Sequence, residues 1–211
     1  MGGGRVESAG GLKVLALTKY GPLAASTRQR FLQYRPALEE AGFHLQISPL
    51  LGDGHLRRLV AGQRASPVHV AEAYTRRLAS LMAAYRYDLL WVHCELFPYW
   101  PAIAERLAFL WRKPVVFDFD DAIFAMYDDA PRAVIRRLLG GKLRPLLRGA
   151  AACTCGNPYL RDYAAQWNSR AIVLPTVVDT ASYRPASHAP GPLVIGWIGS
   201  PSTWANVRPL L

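Results

Sequence analysis

The stretch KVLALTKYGPLAASTRQRFLQYRPALEEAGFHLQISP, residues 13–49, decides the fold of this chain. It opens on a short apolar run, Lys13 to Thr18, closed by the loop Lys19-Tyr20-Gly21-Pro22. Ser26 is placed to cap a helix over about 27–41, since a serine hydroxyl can accept from the free amides of a first turn. Gly42 stops that helix, because glycine tolerates the left-handed conformation that ends helices. Phe43 to Pro49 then alternates as a second strand does. Strand, helix and strand in so short a span are the pattern of a parallel βαβ unit.

Working outward, the same alternation continues. Apolar residues recur at helical spacing from Val68 to Tyr85, and Asp88 to Val92 follows as a strand. A helix over about 100–111 leads to Pro114-Val115-Val116-Phe117, a nearly continuous apolar run that suits a central strand buried on both faces. Residues 130–148 read as a basic, apolar helix broken by Gly140-Gly141 and Pro145. Ala150 to Cys155 is a small-residue strand, Asn157 caps a helix that starts at Pro158, and Ala171 to Leu174 is a sixth strand. These elements predict an α/β fold with a Rossmann-like doubly wound parallel sheet. Residues 1–11 read as a loose Gly-rich tail and 12–184 as the domain. Pro185, Pro190, Gly191 and Pro192 mark a linker over 185–192. Residues 193–211, with a strand over 193–198 and a helix opening at Asn206, read as the start of a second, truncated Rossmann-like domain.

Composition narrows the class. Apolar residues make up 51% of the chain and charged ones 19%, which supports a buried core rather than disorder. No stretch has the length of a transmembrane helix, and Gly2, Gly3, Gly4, Arg5 and Glu7 stand where a signal peptide would be apolar. A cytoplasmic protein is expected. The spacing of Cys94, Cys153 and Cys155 is not that of a metal site, so buried free thiols are expected. The net charge of +10 comes mostly from arginines spread over several helices, without a nucleic-acid-binding module. It leaves an anionic membrane surface, a phosphorylated substrate or simple solvation.

Three groups of residues carry chemistry. Asp118, Asp120 and Asp121 crowd the end of a strand, the edge where open α/β sheets gather ligands, and crowded carboxylates shift one another's pKa. His93 and Glu95 follow another strand to the same edge. Arg28 and Arg30, near a helix start, are phosphate-binding candidates, because a helix dipole repels cations there unless an anion is close. Finally, residues 132–148 interleave six basic residues (Arg132, Arg136, Arg137, Lys142, Arg144, Arg148) with Val134, Ile135 and five leucines and carry no acid. Such a segment can lie on an anionic membrane, or its leucines can pack on the sheet as those of a crossover helix do.

Four segments, in order, resemble the family-4 retaining glycosyltransferases of GT-B fold. They are Ser26-Thr27-Arg28-Gln29-Arg30 through Leu38 and Gly42; Tyr87 to Glu95, ending in His-x-Glu; Val173-Leu174-Pro175-Thr176-Val177-Val178-Asp179 with Tyr183 and Pro185; and Ile195-Gly196-Trp197-Ile198-Gly199. The resemblance implies a GT-B N-terminal, acceptor-side domain and transfer of a sugar from a nucleotide-sugar donor, with retention, to a glycan or lipid-linked acceptor. It makes Asp120 the catalytic candidate, where relatives often carry histidine. His93, Glu95, Asp118, Asp121, Lys19 and Gly21 become acceptor-side residues, and Gly199 and Ser200 donor-phosphate residues. No cofactor, metal or nucleic acid is expected, and the protein is placed in the cytoplasm or at the inner face of the membrane. Relatives often follow that glycine with arginine and carry a lysine further on; here those places are Ser200 and Ala205. The family's paired glutamates belong to the second domain, and no glutamate follows Glu105, so the chain alone is expected to be inactive. An alternative is carried by Asp118-Phe119-Asp120, which resembles the first motif of haloacid-dehalogenase-type phosphatases and would make Asp118 a nucleophile and Asp120 an acid/base with magnesium. A non-catalytic binding domain is the other.

Overall fold

The computed structural model describes residues 11–63, 66–181, 191–192, 196 and 204–210. Six strands form one sheet: β1 (Leu12–Tyr20), β2 (Phe43–Leu51), β3 (Leu89–His93), β4 (Val115–Phe119), β5 (Ala152–Cys155) and β6 (Ala171–Val173). All neighbours are parallel, in the order β2-β1-β3-β4-β5-β6. The order reverses between β1 and β3, so the connections after these two strands leave in opposite directions. Sheets of this kind hold ligands in a crevice at the carboxyl ends of the strands on either side of such a reversal. This is the doubly wound, Rossmann-like arrangement that the alternating elements predict.

The period-two pattern of β1 divides the core. Leu15 and Leu17 pack into the larger cluster, with Val92, Phe117, Phe119, Leu146 and Leu160, while Val14 and Ala16 join Phe31 and Leu45 on the opposite face. A strand covered on both sides cannot alternate polar and apolar residues, which is why β1 and β4 read as apolar runs.

The helices are α1 (Ala25–Arg30), α2 (Arg35–Glu40), α3 (Asp53–Val60), α4 (Pro67–Met82), α5 (Ala102–Glu105), α6 (Ala125–Asp128), α7 (Ala133–Leu139), α8 (Arg144–Gly149), α9 (Pro158–Ala165) and α10 (Trp204–Val207). Asn157 caps α9 as expected, its Oδ1 accepting from the Leu160 amide at 3.0 Å. The break at Gly140-Gly141 is also present. Gly141 has φ +68°, a conformation that costs a Cβ-bearing residue strain.

Two expectations fail. The single helix over 27–41 is two helices, α1 and α2, and its cap is Ala24 rather than Ser26, which lies inside α1. Phe31 leaves the helical region (φ −129°, ψ −59°) and is buried against Trp91, with ring centroids 4.6 Å apart. Pro36 then stands in the first turn of α2, where its missing N–H costs nothing. Core burial of Phe31 outweighs local helical continuity. Likewise the helix over 100–111 shrinks to α5 and a 3-10 turn, Arg106–Phe109, capped by Pro101. The eight-residue α3 is too short for periodicity to announce it. Residues 182–190, the strand over 193–198, Gly199 and Ser200 lie outside the described residues, and a short helix stands at Trp204–Val207.

Candidate functional site

At the carboxyl ends of β3 and β4, just beyond the reversal of strand order, the chain assembles an ionic cluster. Asp118, in β4, is fully buried. Arg30 of α1 forks onto it, Nε donating to Oδ2 at 3.1 Å and Nη2 donating to Oδ1. Thr154 of β5 adds its hydroxyl to Oδ1. Burial disfavours the Arg30 guanidinium, but the hydrogen bond and charge of Asp118 outweigh it, and its pKa rises. Arg30 is thus committed inside the protein, with its Nη1 on the carbonyl of Leu174, and Arg28 donates to the carbonyls of Pro22 and Leu23. Arg30 is therefore not a free phosphate ligand in this structure, whereas Arg28 is exposed and uses only Nη1 in these contacts.

His93, buried at the end of β3, places Nε2 3.3 Å from Asp120 Oδ1 and 3.9 Å from Asp118 Oδ2. Phe31 meets its ring edge-on. Asp120 is the member of this cluster that reaches solvent, its side chain 19% exposed. Its backbone runs so close to Gly156 that a Cβ there would meet Asp120 Cα at 2.9 Å. A residue other than glycine would push Asp120 out of place. Asp121, beside it, is exposed, and burial of its carboxyl followed by the charge of Asp120 raises its pKa.

Between His93 and Glu95, Cys94 has φ +65°, and the Glu95 amide donates to the His93 carbonyl at 2.8 Å. This tight three-residue turn is strained for a side-chain-bearing residue and sits at the ligand edge, where such strain tends to collect. His93 Nε2, Cys94 Sγ and Asp120 converge within 4.8 Å, a donor set that a borderline-soft cation such as zinc accepts. In this structure the same atoms are joined by hydrogen bonds, Cys94 Sγ lying 3.5 Å from His93 Nε2. Cys94, Cys153 and Cys155 are all free and buried; burial pushes Cys153 up to about 12 and Cys155 to about 11.

Burial works against the His93 imidazolium, yet the neighbouring Cys94 and the hydrogen bond to Asp120 raise its pKa well above the ordinary 6.5. Burial would also favour neutral Asp120, but the hydrogen bond and charge of His93 hold it below 3.8. The two therefore stand as an ion pair, and the sign of its pH dependence follows. The His93 share of stability is complete below pH 6.5 and is lost as pH rises through the raised folded value; the Asp120 share is present above pH 3.8 and is lost as pH falls through the lowered one. Urea midpoints of wild type and Asp120→Asn should accordingly differ most between pH 3.8 and 6.5 and converge on either side. A difference independent of pH would mean that the pair is not ionised.

Glu95 is turned inward. Its Oε2 accepts from the Tyr127 hydroxyl at 2.6 Å and lies 3.3 Å from Lys142 Nζ, while Lys19 Nζ approaches Oε1 at 3.6 Å. Lys142 also pairs with Glu105, whose carboxylate receives the amides of Leu96 and Phe97. Of these side chains, Lys19 is the one with a solvent-facing part. Gly21, in the same loop, is pinned to α3: a Cβ would meet Asp53 Oδ1 at 2.5 Å, and that oxygen accepts from the Leu23 amide. Lys142, Thr154, Tyr127 and Gly156 belong to the site through contacts that no local spacing in the sequence announces.

No protein-family model and no curated protein matches the chain. The fold is a Rossmannoid α/β domain, compatible with enzymes that handle nucleotides, sugars or phosphates, and at the strand-order switch it carries a carboxylate–imidazole pair whose Asp120 member reaches solvent.

Proposed function

We propose that this chain is the acceptor-side domain of a GT-B glycosyltransferase of the retaining family-4 kind. The observation that carries the reading is the Asp120–His93 pair, which sits at the crevice with Asp120 facing solvent on a rigid buried base. A carboxylate so held can receive and orient an acceptor hydroxyl, and fixed geometry of this kind lowers a barrier without moving parts. Asp121 stands beside it within the field of Lys19, and Asp118 lies 3.9 Å from the His93 ring beneath it. Support also comes from the segment after β6. Arg30 donates to the Leu174 carbonyl and Gln33 to the Val177 carbonyl at 3.0 Å, tying to α1 and the turn after it the stretch that leads, by resemblance, toward a donor domain. The donor is a nucleotide sugar, its diphosphate received near Gly199 and Ser200 by backbone amides, without a metal. The acceptor is a glycan or a lipid-linked glycan. Because both Asp118 oxygens are engaged and the side chain is fully buried, the phosphatase alternative lacks an accessible nucleophile.

The test is Asp120→Asn in the enzyme that carries this domain together with its donor half. Size is kept and charge is lost, so kcat/KM should fall at least about tenfold, or about 1.4 kcal/mol in the barrier. Unchanged kinetics with a folded variant would sink the assignment.

Docking on an anionic membrane through residues 132–148 remains part of the proposal in a reduced form. Lys142, Leu139, Leu143, Leu146 and Leu147 are buried, so they belong to the core rather than to a membrane face. Arg144 and Arg148 stack on Trp167. What remains exposed on α7 is Val134 and Leu138 beside Arg136 and Arg137, with Arg132 just before it. Each arginine near such a surface contributes roughly 1 kcal/mol before screening. Co-sedimentation with anionic vesicles should occur at low salt, weaken at high salt, and drop in Arg136→Glu/Arg137→Glu. Protein left in the supernatant at low salt would end this part of the reading. No helix among the described residues is long and apolar enough to cross a membrane.

A further inference from the structure

A second cleft, of about 300 Å³, lies between α3 and α4 beside the carboxyl end of β2. Ala73, which is buried, lines it together with His55, Arg58, His69 and Arg76, and Glu72 is the one carboxylate in its lining. Arg58 Nη1 lies 2.9 Å from His69 Nδ1. A guanidinium can only donate, so this contact leaves the charge of Arg58 uncompensated. His55 is pushed below its ordinary pKa by burial and then by the charges of Arg58 and His69. Asp53, the nearby acid, lies outside the cleft lining and turns Oδ1 to the Leu23 amide.

One turn beyond Ala73 on the same face of α4, Arg77 is buried with Nη2 on the Thr18 carbonyl, and its Nε and Nη1 have no partner among the described residues. Buried charges are normally paired. Burial lowers Arg77 to about 9. The cleft lining itself sets Arg58 and Arg76 against a single carboxylate, Glu72, while Arg77 lies in the core behind it, within the field of Glu105. Gly52 and Gly54 leave open space where a Cβ would stand, and α3 begins there without a side-chain cap, so an anion can approach the backbone.

We infer that this cleft binds a phosphate group, either on a phosphorylated soluble substrate or on a lipid headgroup. It rests on the transferase reading only for the idea that the phosphate belongs to the acceptor. The pinning of Gly21 to Asp53 sets the cleft beside the loop that borders the switch crevice, so a phosphate seated here would anchor an acceptor whose hydroxyl lies further along the same sheet edge.

The experiment titrates the full chain with inorganic pyrophosphate while following the His55 and His69 imidazole resonances by NMR. Both should shift, with a Kd of about 1 mM or tighter. Arg58→Gln/Arg76→Gln should weaken binding at least about tenfold, and Gly54→Leu, which keeps every charge but fills the space, should weaken it as well. Vesicles containing phosphatidic acid distinguish the source: competition by them for pyrophosphate marks a headgroup site, and its absence marks a soluble phosphate. No imidazole shift well above a millimolar, or equal binding by both variants, overturns the inference, the latter marking only nonspecific attraction to a basic surface. Pyrophosphate binding needs no donor half, so failure here is separable from failure of the Asp120→Asn assay.

Discussion

Lys142→Met should lower stability by about 3–5 kcal/mol. Lys142 is buried between Glu95 and Glu105 and is the counter-ion of both. Methionine matches its stem but leaves two carboxylates facing each other away from water. Burial already raises the Glu105 pKa even with Lys142 present, so the variant should take up a proton there, and its deficit should narrow as pH is lowered. Adding Glu105→Gln should recover part of the loss by removing one stranded charge. Urea denaturation of the single and double variants checks this. A Lys142→Met protein within about 1 kcal/mol of wild type would show that water reaches the carboxylates and that the internal triad is not closed.

The second large effect concerns Arg30 and Asp118. Arg30→Met strands a buried carboxylate, and Asp118→Leu strands a buried guanidinium; each should cost about 3–5 kcal/mol. The double variant should be far less damaged than the sum, because the two charges then disappear together, and a coupling above about 1 kcal/mol is expected. Activity separates structure from function in the same experiment. The pair forms the base on which His93 and Asp120 rest, so the double variant should regain stability without regaining turnover. If turnover returned with stability, the buried pair would be mere ballast and Asp120 would position itself.

Both buried clusters lie under the carboxyl edge of the sheet, where a hydrophobic core of the same volume would serve stability as well or better. Their cost is intelligible if charge geometry at the crevice matters. Arg30 links α1, β4, β5 through Thr154, and the segment after β6. Lys142 links the segment before α8 to α5 and the turn after β3. Between them they hold the crevice from both sides.

Much of the architecture was determined by local sequence alone. The apolar runs at Lys13 to Thr18 and Val115 to Phe117, the Asn157 cap, and the break at Gly140-Gly141 each state their structure through spacing of one to four residues, which is the range over which strand and helix periodicities act. The alternation of strands with helices then leaves a parallel, doubly wound sheet as the economical packing, and its carboxyl edge as the place for His93, Glu95 and Asp120. Only the tertiary structure decided the rest. Arg30 looks like a helix-terminal phosphate ligand until Asp118, 88 residues away, claims it. Lys142 looks like one of six surface cations until Glu95 and Glu105 enclose it. Phe31 breaks its helix because Trp91 and His93 wait on β3. In each case the deciding partner is distant in sequence, and the need to pair a buried charge, or the gain from burying a ring, exceeds any local preference.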